Sequence, residues 1–133
     1  MRYLGIDYGK KRTGLSISDE GGSIAFPHKT IPGSEKLITA LKETIEKEKI
    51  GKIIIGLPIP FGGGESKQLL EVKKFASLLK KEINLPIEFE NEVLTTKMAV
   101  RNGISAENLD KASAAIILQS YLDKERGQNL PSK

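Results

Sequence analysis

The sequence predicts an α/β protein built on one five-stranded mixed sheet, in the order 3-2-1-4-5, with helices on both faces. Three observations lead there. Residues 1–26 hold three strand-like runs joined by links too short for a helix. Beyond Gly33 the apolar period lengthens, and helical stretches alternate with strands. Between the first two helices, residues 52–57 are a continuous apolar run, the pattern of a strand covered on both faces. A meander then supplies the antiparallel half of the sheet. Strands reached through helical crossovers return parallel to the first, by right-handed connections.

The elements follow in order. Residues 2–7 (RYLGID) form the first strand. In residues 13–18, Leu15 and Ile17 alternate with Ser16 and Ser18, the period of a strand with one buried face. Asp19-Glu20-Gly21-Gly22 is turn chemistry, and residues 23–26 are a third strand that Pro27 confines to an edge or ends. Ser34 is placed to cap a helix running to about Lys49, with Leu37, Ile38, Leu41 and Ile45 on one face. After the fourth strand, Gly62-Gly63-Gly64 makes a flexible loop. Residues 66–82 are helical, aligning Leu69, Val72, Phe75, Ala76 and Leu79. Residues 86–91 alternate Ile87 and Phe89 with Glu88 and Glu90, giving a fifth strand. A short helix over residues 95–102, ended by Gly103, precedes a longer one over residues 110–125. The latter is apolar nearly all round from Ala112 to Leu118, so burial is expected. A single domain over residues 1–126 and a tail over residues 127–133 complete the reading.

Composition narrows the function. A chain of 133 residues buries a core without staples but is too short for two lobes closing over a nucleotide. With no Cys and a single histidine, His28, thiolate zinc sites and His-rich metal clusters are excluded. The net charge of +4 permits a polyanionic partner, and each half of the chain carries +2, so there is no basic tail. Asp7 interrupts the start before a signal peptide could form, and no apolar run reaches the length of a membrane span. A cytoplasmic protein without membrane contact is expected, and a free sheet edge is compatible with monomer or homodimer.

In such sheets ligands gather at the carboxyl ends of the parallel strands, where the winding reverses. Here that is the end of strand one, at Asp7. An acid in an otherwise apolar strand is costly to bury alone; it reads equally as a site residue or as the cap of the turn over residues 8–12. Glu92 directly follows the fifth strand at the same edge. Asp110 starts the last helix, where Asp is also a good N-cap. Three carboxylates converging on one edge disfavour each other's ionised form, and a divalent cation relieves that repulsion. Mg²⁺ or Mn²⁺ suits such an all-oxygen site. With two such ions, one activates water and the other stabilises the leaving oxygen of a phosphodiester. Lys10, Lys11 and Arg12, just beyond Asp7, read as phosphate contacts beside such a site, or equally as an ordinary solvated turn if the site is set aside. His28 beside Pro27 reads as a structural or surface histidine rather than a catalytic base.

Residues 1–18 (MRYLGIDYGKKRTGLSIS), 54–58 (IIGLP), 91–96 (NEVLTT) and 110–122 (DKASAAIILQSYL) resemble the YqgF-type family, in order over nearly the whole chain. Its members are called Holliday junction resolvases or pre-16S ribosomal RNA nucleases. The resemblance implies a ribonuclease-H-like fold and metal-dependent cleavage of nucleic acid, with a role in ribosomal RNA maturation. It carries the family's acidic residues onto Asp7, Glu92 and Asp110. Asn91-Glu92-Val93 departs from the family's Asp-Glu-Arg, Pro60 and Gly62 replace its Asn and Asp, and residues 104–109 (ISAENL) lack the usual basic stretch. The leading expectation is a Mg²⁺- or Mn²⁺-dependent endonuclease, with one or two ions, acting on precursor ribosomal RNA or branched DNA. The alternative is a non-catalytic RNA-binding ribosome-assembly factor that has kept the fold. An actin-like ATPase is a third reading, which the single lobe disfavours.

Overall fold

The computed structural model describes residues 1–60, 62–93 and 105–129. Its strands are β1 (Arg2–Asp7), β2 (Arg12–Ser18), β3 (Ala25–Pro32), β4 (Ile50–Ile59) and β5 (Ile87–Val93). The helices are α1 (Leu37–Glu48), α2 (Lys67–Glu82) and α3 (Ala106–Asn129). One sheet forms in the order β3-β2-β1-β4-β5, with β1–β2 and β2–β3 antiparallel and β1–β4 and β4–β5 parallel, as the pattern predicts. No helix among the described residues is long and apolar enough to cross a membrane. The short helix expected over residues 95–102 lies outside the described residues.

Alternation along the strands divides the core between the two faces. Leu4, Ile6, Leu15, Ile53 and Ile55 pack against Leu37 and Leu41 of α1 and Val72, Phe75 and Leu79 of α2. Ile54 points the other way, against Ile117, Leu118, Tyr121 and Leu122 of α3. Ile53, Ile54 and Ile55 are all fully buried, which is why β4 reads as an unbroken apolar run. Each such side chain contributes about 1.5–3 kcal/mol through burial, so the helices are held by packing rather than by propensity.

Several boundaries differ from the sequence reading, each for a physical reason. β3 runs through Pro27 to Pro32 instead of ending near Phe26, because it is the edge strand. Leu15 pairs with Lys29 and Ser16 with Pro27, so His28 is the extra residue of a bulge. The side chain of Ser34 does not cap α1. Lys36 occupies that position without a side-chain bond, and the Ser34 carbonyl accepts from the Leu37 N–H. Ser66 does cap α2, its hydroxyl accepting from the Leu69 N–H at 3.1 Å. Asp110 is not an N-cap: α3 starts a turn earlier, where the Ser105 hydroxyl accepts from the Asn108 N–H at 3.3 Å. Glu92 lies within β5, opposite Pro58, rather than after it. α3 also continues past Glu125 to Asn129.

Candidate active site

Asp7 ends β1 on the face that packs against α3, since Leu4 and Ile6 face the other way. Its antiparallel partner is Gly14, and Gly56 follows Ile55 on β4 just as Asp7 follows its partner Ile6. Asp7 is therefore flanked by a glycine on each neighbouring strand. What lies over them leaves little room for a side chain at either, least at Gly14, where the obstacle is helix backbone rather than a side-chain end. A Cβ on Gly14 would run into the backbone carbonyl of Asp110 and lie 2.8 Å from the amide nitrogen of Lys111. A Cβ on Gly56 would lie 2.5 Å from Ile117 Cδ1 and 3.3 Å from Glu92 Oε2. Gly5 allows the same approach further along, with Leu118 Cβ at 2.8 Å, and Ser16 anchors the helix by donating its hydroxyl to the Ala114 carbonyl at 2.7 Å.

α3 is thus pressed onto a floor of small residues, and that contact sets where Asp110 stands. Asp110 sits over β2 on one side of Asp7, and the carboxylate of Glu92 sits over β4 on the other. Asp7, Glu92 and Asp110 are 5%, 9% and 7% exposed. The structure so brings all three predicted acids to the α3 face at one end of the sheet. None of the three is without a partner in the fold. Their donor set is all carboxylate oxygen, which fits a hard divalent cation. Among the described residues no three His, Asp or Glu side chains close into a group able to hold a metal ion.

The basic cluster separates on folding. Arg12 lies on the same face of β2 as Gly14, and its Nε donates to Asp110 Oδ2 at 2.7 Å. A charge-assisted bond of that length fixes the carboxylate's orientation. Lys10 instead pairs with Glu71 of α2 at 3.0 Å and is largely exposed. Lys11 is exposed, with its carbonyl accepting from the Gly33 N–H at 2.7 Å. Tyr8 stacks on Phe75 at 4.3 Å, turning the chain after Asp7 toward α2. His28 lies in the β3 bulge beside Lys29, Thr44 and Lys47, and burial lowers its pKa. Gly62, Gly63 and Gly64 all take positive φ with open space around them, a backbone only glycine adopts readily.

Sequence reasoning missed Glu90. The alternation in β5 is real, but Phe89 is 38% exposed while Glu90 is 4% exposed. Glu90 Oε2 accepts from the Ser120 hydroxyl at 2.8 Å and the Lys124 ammonium at 2.7 Å, both on α3. A polar residue at every second position of an edge strand signals solvent, and only the helix folded over it reverses that.

Solved structures share this architecture. RuvC of T. thermophilus, solved with a Holliday junction substrate, matches with a TM-score of 0.61 at 14% identity, covering 96% of this chain and 97% of that one. The fowlpox virus Holliday junction resolvase matches with a TM-score of 0.55 at 12% identity, covering 94% and 99%. At such identities the likeness establishes the fold, which is the expected ribonuclease-H-like one. Sequence relatives are nearer. A protein of Rickettsia peacockii, provisionally named a pre-16S rRNA nuclease, is 42% identical over 130 positions, covering 90% of this chain and 84% of that protein. One of Nitratidesulfovibrio vulgaris with the same name is 34% identical over 142 positions, covering 99% and 100%. The family model described as RuvX, Holliday junction resolvase, matches residues 1–124. By that match and these identities, the chain belongs to the RuvX Holliday junction resolvase family.

Proposed function

We propose that this member of a nuclease family hydrolyses phosphodiester bonds in structured nucleic acid with the help of a divalent cation, Mg²⁺ or Mn²⁺. Its substrate is a precursor ribosomal RNA end or a branched DNA junction, met in the cytoplasm. One observation carries the reading: three buried carboxylates from three separate elements lie on one face at the end of the parallel strands, Asp110 over Gly14 and Glu92 over Gly56 on either side of Asp7, although they do not close into a tight ligand group. Gathering carboxylates at one edge disfavours their ionised forms, and a bound divalent cation would relieve that repulsion further than the Arg12 contact to Asp110 does. Asp7, Glu92 and Asp110 would hold that cation. When bound, it supplies Lewis acidity that activates water and offsets charge on the reacting phosphate.

The chain's own residues do the positioning. Arg12 orients the Asp110 carboxylate and adds positive charge where a phosphate would approach. Lys11 reaches into solvent from the same turn. Lys10 can leave Glu71 for a phosphate at little cost, since an exposed pair contributes only about 0–1 kcal/mol. The test compares wild type with Asp7→Asn in Mg²⁺ and in Mn²⁺, on a four-way DNA junction, a precursor ribosomal RNA end and a plain single strand. Cleavage present in wild type and lost in a folded Asp7→Asn chain is the expected result. Cleavage that persists in the variant refutes the assignment. Salt-sensitive RNA binding with no cleavage of any substrate would instead identify a non-catalytic assembly factor.

A further inference from the structure

We propose that Glu90 is a positioning residue for this site: its buried carboxylate clamps α3 to the edge strand β5 and so holds Glu92 in register with Asp110. The inference rests on the reading of Asp7, Glu92 and Asp110 as cation ligands. Among the described residues β5 is hydrogen-bonded to β4 alone, with no strand on its other side. Glu90 and Glu92 share the face toward α3, about 6.6 Å apart along the strand. Glu90 is nevertheless 4% exposed and takes two bonds on one oxygen, from Ser120 at 2.8 Å and from Lys124 at 2.7 Å. These donors are one helical turn apart on α3, the element that carries Asp110.

Stability alone does not call for this arrangement. A buried charge pair replaced by apolar side chains of similar size is often no less stable, because desolvation offsets the attraction. The neighbouring Phe89, by contrast, is left 38% exposed. What the carboxylate supplies and an apolar contact does not is direction. Two hydrogen bonds of defined geometry fix the rotation and slide of β5 against α3. Glu92 is only two residues away and inherits that placement, while Gly14 sets the Asp110 end independently.

The experiment is Mn²⁺ titration calorimetry on the full chain, paired with thermal melting, for wild type, Glu90→Leu, Ser120→Ala and Lys124→Met. Positioning predicts that Glu90→Leu and Lys124→Met each weaken Mn²⁺ binding by about tenfold, the usual scale for residues behind metal ligands, in chains whose melting shows them still folded at the titration temperature. Lys124→Met is the more destabilised, because it leaves the Glu90 carboxylate buried without its cation. Ser120→Ala weakens it less, because one bond of the clamp remains. Lys124→Met separates geometry from charge. Losing a nearby cation would tighten Mn²⁺ binding if Glu90 acted only through its field, whereas a broken clamp loosens it. Lys124 is largely exposed, and each variant is read on its own, so the test survives if one of the two does not fold. Tighter binding in Lys124→Met, or unchanged affinity in a folded Glu90→Leu, overturns the proposal while leaving the carboxylate site intact. A wild-type chain that does not bind Mn²⁺ overturns both.

Discussion

Gly14→Ala tests the link between packing and chemistry most directly. The new Cβ would overlap the Asp110 carbonyl and lie 2.8 Å from the Lys111 nitrogen, and both obstacles are helix backbone, which cannot rotate away. Comfortable carbon contacts need about 3.5 Å, so the start of α3 has to retreat on the order of 1 Å from β2. Overpacking of this kind costs about 1–3 kcal/mol. For a domain of this size each kcal/mol lowers Tm by about 3–5 °C, which gives a fall of about 3–15 °C. The same retreat moves Asp110 relative to Asp7, and a displacement of about 1 Å at reacting groups costs about a hundredfold in rate. Gly33→Ala is the matched control. Gly33, unlike Gly14, has positive φ, at 68°, but nothing lies within 4 Å of its Cβ position. Its strain costs about 1–2 kcal/mol, with no displacement of the site. The assay is thermal melting together with the metal-dependent cleavage rate. Gly14→Ala with wild-type rate, or a Gly33→Ala chain equally impaired in rate, would refute the idea that α3's seat on β2 sets the site.

Three further outcomes are expected. Stability falls with acid through groups held below their ordinary pKa in the fold: His28 by burial, then Lys29, from 6.5 downward; Asp19 by the Ile24 and Ser23 amides; and Glu88 by Tyr121, then Lys52. In each case the unfolded chain takes up the proton first, so Tm declines below about pH 6.5 and more steeply below about pH 4.5; His28→Gln should flatten only the first part, and an unchanged slope there excludes His28 as its source. Ser113→Ala should leave Tm unchanged or raise it, because its buried hydroxyl has no hydrogen-bond partner among the described residues and an unsatisfied group of this kind costs about 1–3 kcal/mol; a clear fall in Tm counts against that view. Arg12→Met should reduce the slope of log binding constant against log salt by about 1 if Arg12 meets a phosphate, and an unchanged slope would confine its role to Asp110.

The topology was legible in the residues because it depends on short-range patterns. Period-2 alternation in β2, the apolar run of β4 and the amphipathic helices together dictate a meander followed by crossovers, and chirality leaves one common strand order. The acids Asp7, Glu92 and Asp110 stood out for the same reason: each breaks or bounds an apolar element near one sheet edge. Local pattern also misled where a distant partner decides. β3 passes through two prolines because it pairs on one side only and bulges at His28. Asp110 has the residue type of a cap, yet it lies inside α3 on the Arg12 guanidinium. Gly14 and Gly56 are ordinary strand glycines until a helix that begins some fifty residues or more further on is laid across them. Glu90 looks solvated until Ser120 and Lys124 close over it. Local pattern was enough to lay out the five strands, their order and the acids at one edge. How close α3 comes and which polar groups it covers emerged on folding, because burial is set by contacts far apart in the chain.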